Sequence, residues 1–395
     1  MAENSVWGLR RFVAVGAALM LLGGSLTACT IDRSGTAAES SDAAEAEHHD
    51  PAVISVEDGA ADVEPGDPVT VTSPDGLESV TMKNEEGREV EAEFNADKTE
   101  WTTSEPLGYG REYTVEATTV HGETSQSVFT TVVPDSQISA YIGPLDGSEV
   151  GVAHAVNFYF DVAPADRQAM QDAITVETSN NTEGAFYWLE PNHLVWRPKD
   201  YWVPGTHVTV TADIYGKSFG DGMYGAEDST SSFTIGDLVK TVVDDNTKTL
   251  TVYHGDEVVK SFPVSLGRDG EFATPNGLYV VGDRNESMTM DSTTYGLALE
   301  NGGYRTPVNY ATQMSWSGIY VHSAPWAVGA LGSYNQSHGC VNAAPGDAQW
   351  FMEYVKQGDP VEVVNTSGGT LDGLDGLGYW NLDWETLKAG NADEG

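Results

Sequence analysis

Between residues 51 and 134, apolar and polar positions alternate in the short runs VTVTS, REVEAEF, EYTVEATTV and SQSVFTTVV, broken by PDG and EEG. Valine, threonine and aromatic residues at period two predict antiparallel strands joined by turns. No amphipathic helix interrupts them. The same alternation continues from 135 to 236 in VGVAHAVNFYFDV, GAFYWL, HLVWRP and THVTVTADIYG. A single short helix is predicted there, PADRQAMQDAI, with Pro164 in its first turn.

The two blocks share a register. A shift of 95 residues superposes Trp101 on Trp196, Gly110 on Gly205, Thr114 on Thr209, Val115 on Val210 and Ala117 on Ala212. This predicts an internal repeat of two immunoglobulin-like β-sandwich domains. Neither block gathers a His, Cys and carboxylate cluster, so both read as spacers or binding modules. From Leu238 a third β-rich region begins. DDNTKTLTVYHGDEVVKSFPV predicts three strands with tight turns, ATPNGLYVV and SGIYVHSAPW add strands, and DPVEVVN closes the set. APGDAQWFMEYVKQG predicts a helix that opens near Pro345 and Asp347 and stops at Gly358. The last thirty residues, with Trp380 and Trp384 among Gly and Asp, predict an irregular segment that packs back on a domain.

The fold class is therefore mainly β, two sandwiches followed by a β-rich third domain with a short helix after its cysteine. The segments fall at 1–28 for a signal peptide, 29–50 for a disordered tether, and 51–134 and 135–236 for the sandwiches. The third domain spans 237–366, and a C-terminal extension 367–395. The tether, TIDRSGTAAESSDAAEAEHHD, lacks the large apolar residues a core needs. His48 and His49 at its end offer metal ligands, though solvated linker is the simpler account.

Charge narrows the partners. With 60 Asp plus Glu against 19 Lys plus Arg, the formal net charge is -41, which repels phosphate backbones and argues against nucleic acid. The N-terminus points outward. Arg10 and Arg11 precede the apolar run FVAVGAALMLLGGSL, and small residues lead to Cys29. A basic start and a short apolar core describe a secretory signal. Leu26-Thr27-Ala28-Cys29 resembles the lipobox of a bacterial lipoprotein, which implies lipidation at Cys29, anchoring to the cell membrane by lipid, and an extracytoplasmic location facing the cell wall.

That leaves Cys340 alone in the body of an exported chain, where an odd cysteine is reactive or intermolecular. His338 lies two positions before it and His322 eighteen before, at the end of the strand IYVH. An imidazole can take the thiol proton, and a helix just downstream would favour the anion. Gly339 would let the loop bend so that backbone N–H groups face a reacting carbonyl, and Asn342 offers an amide. This suits nucleophilic acyl transfer. A buried structural thiol and a zinc site of His322, His338 and Cys340 stay open on spacing alone. GGTLDGLDGLG lacks Gly-Lys-Ser/Thr, which rules out a P-loop.

His322 followed by Ser337-His338-Gly339-Cys340-Val341-Asn342 resembles the signature of the L,D-transpeptidases, in which Ser/Thr-His-Gly-Cys-x-Asn follows a histidine. MTMDSTTYG, GYRTPVNYATQMSWSGIYVHSAPWAVGALGSYNQSHGCVN and VEVVNTSGGTLDGLDGLGYWN are similar to the actinobacterial lipoprotein members, which also carry two immunoglobulin-like domains ahead of the YkuD-type catalytic domain. The resemblance implies that Cys340 attacks the bond between the third-position diamino acid and terminal D-alanine of a peptidoglycan tetrapeptide. The resulting thioester then passes to an amine on a neighbouring stem. It implies His322 as base, Ser323 as its orienter, His338 as a positioning neighbour, and Tyr304 with the Gly339 and Cys340 amides as oxyanion donors. Met290, Tyr295, Tyr320, Trp326, Ser337 and Asn342 would line the substrate paths. Carbapenem-type β-lactams would acylate the thiol. No cofactor and no metal are implied; the partners are donor and acceptor stems, and a monomer is expected. The rival outcomes are hydrolysis as an L,D-carboxypeptidase, exchange with a free D-amino acid, or a non-catalytic wall-binding lipoprotein.

Overall fold

The computed structural model describes residues 49–394. The signal peptide, the lipobox and nearly all of the tether lie outside the described residues. Among those described, no helix is long and apolar enough to cross a membrane.

The alternation becomes sandwiches because strand side chains point to opposite faces. In the first, the order Val53–Ile54, Thr70–Thr72, Glu100–Thr103, Ala92–Phe94 makes one sheet. Leu77–Asn84, Glu112–Thr119 and Thr124–Thr130 make the other. The inward residues of both, among them Val71, Trp101, Met82, Val115 and Phe129, form one core. The second sandwich repeats this wiring. Ala140–Gly143, Val156–Phe160, His193–Pro198 and Gly184–Glu190 correspond in order to the first sheet. Ile174–Thr178, His207–Ala212 and Ser229–Ile235 correspond to the second, extended by the short parallel strand Glu149–Val150. Trp101 and Trp196 occupy the same strand of the repeat, both buried. Gly110 and Gly205 both turn the chain at positive φ, +61° and +78°. The helix in this block is shorter than PADRQAMQDAI implied. It runs Arg167–Asp172, because Asp166 caps it by accepting from the Ala169 N–H at 2.8 Å, which leaves Pro164 outside the first turn.

The third region forms two sheets. One has the order Glu257–Pro263, Thr249–His254, Val239–Asp244, Pro360–Val364, Gly277–Val280. The other runs Arg284–Asp291, Arg305–Gln313, Tyr320–Ser323, Val341–Ala343. Val243, Leu250 and Val361 from the first join Val321, Val341 and Ala343 from the second in one core. Ala348 and Phe351 of the helix Pro345–Tyr354 complete it. That helix ends earlier than Gly358, since Val355 is already extended at ψ 154° and turns its side chain into the core.

The C-terminal segment is more ordered than its composition suggested. It holds a 3-10 turn, Tyr379–Asn381, and a helix, Trp384–Ala389, capped by Asp383. The Tyr379 hydroxyl accepts from the Ala155 N–H and donates to the Ala153 carbonyl, while Asn381 bonds both N–H and carbonyl of Leu278. Arg197, 2% exposed, donates to the Leu382 carbonyl at 2.8 Å and lies over the Trp380 ring. The segment thus bonds the second sandwich on one side and the third region on the other.

Candidate active site

Cys340 precedes a strand of three residues, Val341–Ala343, which pairs in parallel with Tyr320–Ser323. The register sets Val321 beside Val341, His322 beside Asn342 and Ser323 beside Ala343. Period two then decides everything about the site. Val321, Val341 and Ala343 point into the core. Tyr320, His322, Cys340 and Asn342 share the opposite face, and a cleft of about 570 Å³ opens against the last three. Met290, Tyr304, Trp326, Ser337 and His338 line it with His322, Cys340 and Asn342.

The bend ahead of Cys340 is built from small groups. Gly339 sits at φ +128°, and a Cβ there would come within 2.9 Å of Ile319 Cδ1. Ser337 Oγ donates to the Cys340 carbonyl at 2.6 Å and accepts from the Gly339 N–H at 3.1 Å, closing the loop on itself. That bond occupies the Gly339 amide and removes it from the oxyanion role expected of it. The Cys340 amide and Tyr304 remain. Behind the loop, buried Thr274 donates to the Gly339 carbonyl and accepts from the Gly267 N–H. The backbone of residues 265–268 runs alongside, with Arg268 N–H on the Ser337 carbonyl and reciprocal bonds between Ser265 and Asn342.

The thiol is 4% exposed and donates to the Gly318 carbonyl at 3.4 Å. Its surroundings are apolar, with Met290, Val308, Ala311 and Tyr320 packed against it. Burial pushes its pKa up to about 11, partly offset by the Tyr320 backbone. His322 is equally enclosed, and burial holds its pKa below the ordinary histidine value, partly offset by its bond to Ser323. Its Nδ1 donates to the Ser323 carbonyl at 3.0 Å, which fixes the tautomer and leaves Nε2 as the basic nitrogen. Ser323 therefore orients the His322 ring through its backbone, not its hydroxyl. Burial favours the neutral form of both groups. The helix downstream does not assist an anion at Cys340: the three-residue strand Val341–Ala343, a span of about 13 Å from Cys340 to Ala344, separates the thiol from the helix start, beyond the reach of its first-turn dipole.

His338 is exposed beside Cys340. Its ring meets the edge of Phe272 and tilts against Tyr304, and its Nε2 lies 3.2 Å from Arg268 Nη2. Burial and that guanidinium hold it below the usual histidine value. Arg268 places a fixed positive charge where the zinc reading would put a cation, which opposes that reading. Tyr304 is held by Ser292, whose Oγ accepts from the Tyr304 N–H and donates to the Leu297 carbonyl. Tyr295 and Tyr320 stand apart from the cleft lining. Their hydroxyls meet at 3.3 Å, and the Tyr295 ring covers Gly318, whose carbonyl holds the thiol. Gly318, Thr274, Gly267, Arg268 and Phe272 were missed from sequence. All but Gly318 lie on the remote segment 267–274, and Gly318 acts only through its backbone.

A β-sheet domain with a buried thiol, a tautomer-locked imidazole and an open cleft holds the groups that cysteine-dependent acyl transfer requires. The bacterial Ig domain family matches residues 60–218, and the L,D-transpeptidase catalytic domain family matches residues 239–363. L,D-transpeptidase 2 of Mycobacterium tuberculosis (strain CDC 1551 / Oshkosh) is 50% identical over 343 residues, covering 86% of this chain and 84% of that protein. L,D-transpeptidase 5 of Mycobacterium tuberculosis (strain ATCC 25618 / H37Rv) is 34% identical over 343 residues, 83% of this chain and 74% of that one. The solved structure of LD transpeptidase LdtMt1 in complex with imipenem superposes with a TM-score of 0.50 at 36% identity, covering 59% of this chain and 100% of that chain. This chain belongs to the L,D-transpeptidase family.

Proposed function

We propose that this chain cross-links peptidoglycan stems through a thioester on Cys340. The observation that carries the reading is the parallel pairing that puts His322 and Cys340 on one cleft face, with His322 Nδ1 already committed to Ser323. As Sγ attacks the carbonyl joining the third-position diamino acid to terminal D-alanine, His322 Nε2 takes the thiol proton. The Cys340 amide and the Tyr304 hydroxyl face the developing oxyanion. The C–N bond breaks, the imidazolium returns its proton to the leaving amine, and D-alanine departs. The side-chain amine of a diamino acid on a second stem then attacks the thioester and gives a proton to His322. The C–S bond breaks, and the sulfur is reprotonated. A neutral resting pair suits this order, because a low-pKa thiolate exposed to solvent would be open to oxidation between turnovers.

A carbapenem presents a strained carbonyl to the same sulfur, and the imipenem complex of a relative supports acylation here. Lipidation at Cys29 would hold the enzyme at the outer face of the cell membrane, with the tether setting its distance from the wall.

The test is intact-mass analysis of the chain lacking residues 1–29 after incubation with a disaccharide tetrapeptide and, separately, with a carbapenem. Expected are a cross-linked dimer and a covalent adduct, both absent from Cys340→Ala. A tripeptide product without dimer would assign hydrolysis instead, and cross-linking that survives Cys340→Ala would overturn the mechanism. Radiolabelled fatty acid on Cys29 in cells tests the anchor.

A further inference from the structure

The tether ends at a place built from three separate segments. His49 is its last histidine. Asp75 lies in the turn between Thr70–Thr72 and Leu77–Asn84, and His121 in the turn between Glu112–Thr119 and Thr124–Thr130. The Val120 N–H donates to the Gly76 carbonyl at 3.1 Å, so the two turns are bonded to each other and hold Asp75 and His121 in place. Against them His49 stacks its ring on that of His121, with centroids 3.5 Å apart and planes 5° from parallel; because each nitrogen lone pair lies in its ring plane, sharing an ion requires one imidazole to rotate out of this stack. One ligand atom from each of His49, Asp75 and His121 lies within 4.8 Å of the others.

We infer that His49, His121 and Asp75 bind one divalent transition-metal ion of the zinc class, and that the ion staples the end of the tether to the first sandwich. Three lines of chemistry meet here. Two neutral imidazoles and a carboxylate are a donor set that zinc takes readily, with water in the fourth position. The separation of His49 Nδ1 and Asp75 Oδ2, 3.4 Å, is long for a hydrogen bond. It equals the edge of a tetrahedron whose ligands lie about 2.1 Å from its centre, close to 3.4 Å. Two of the donors sit on turns bonded together, so metal binding need order only the tether end. The site is solvent-accessible, with the His49 and Asp75 side chains 26% and 42% exposed. That predicts a reversible ion rather than a buried structural one. Among the described residues no other group of three such ligands comes together. The net charge of -41 raises the local concentration of cations around it. When bound, the ion fixes residue 49 to the first sandwich.

The test uses the full chain without a histidine tag, titrated with zinc and with cobalt in chelator-free buffer. Expected are one equivalent bound and the visible absorption of tetrahedral cobalt. Both should be lost in His121→Ala and in the conservative His121→Gln, and retained in Cys340→Ala. Hydrogen exchange at the amides of residues 50–54 should slow on adding zinc, while carbapenem acylation stays unchanged. Failure to bind saturably overturns the proposal. So does binding that survives both His121 variants, which would assign the ion to the tether's own His48–His49 pair, and binding lost in Cys340→Ala, which would assign it to the thiol.

Discussion

The strands Tyr320–Ser323 and Val341–Ala343 present two faces of one sheet that are equally dry and differ in what their dryness does. On the core face, Val321, Val341 and Ala343 are each 0% exposed and contribute the free energy of apolar burial. On the cleft face, His322 and Cys340 are each 4% exposed, yet burial there is a cost, because it disfavours the charged form of both groups. The same exclusion of water stabilises the fold through one set of side chains and raises the thiol and lowers the imidazole through the other. Stability and reactivity are thus separated by alternation along two short strands.

Substitutions should respect that division. His322→Asn removes the proposed base from the cleft face, and carbapenem acylation should slow about a thousandfold with little change in melting temperature. If stability fell with it, the two faces would not be separable. Gly339→Ala acts on the bend that joins them: positive φ and the approach to Ile319 should cost about 1–3 kcal/mol and slow acylation together, read by denaturant unfolding and stopped-flow. Val341→Ala, one residue beyond Cys340 but on the core face, should cost about 2 kcal/mol while leaving the acylation rate per folded molecule unchanged.

The smallest effect expected is with pH. His322 is held below the ordinary value of about 6.5, so at pH 6.5 more than half of it is still the neutral base. The acylation rate should therefore keep more than half its neutral value there and fall only at lower pH. On the alkaline side the thiol stays protonated up to about 11, so the rate should be nearly level from pH 7 to 9. A rate that climbs through pH 7 to 9 would mean a free thiol titrating near its solution value, and would contradict the dry cleft face.

The two sandwiches carry a second contrast. Their strand order is the same, and the register linking Trp101 to Trp196 and Gly110 to Gly205 was visible in sequence because a core tryptophan and a left-handed turn tolerate few substitutes. What the second copy adds was not visible. At the position where the first has half-buried Thr102, the second has Arg197, bonded to carbonyls contributed by the C-terminal segment. A lone arginine in a strand gives no sign of partners some 180 residues away.

Local alternation and the run from Ser337 to Asn342 were enough to establish the β architecture and the repeat and to single out His322 and Cys340 as the candidate pair. These depend on neighbours within a few residues, and strand periodicity and a glycine bend are written at that scale. Tertiary pairing alone decided the rest. It aligned His322 with Asn342, brought Gly318 to the thiol and Thr274 to the bend, took the Gly339 amide out of use, and kept the helix too far away to charge the sulfur. Each of these acts through backbone atoms or through separation in space. Because every residue carries the same backbone, such roles leave no mark on residue identity, and they appear only when distant segments are folded against one another.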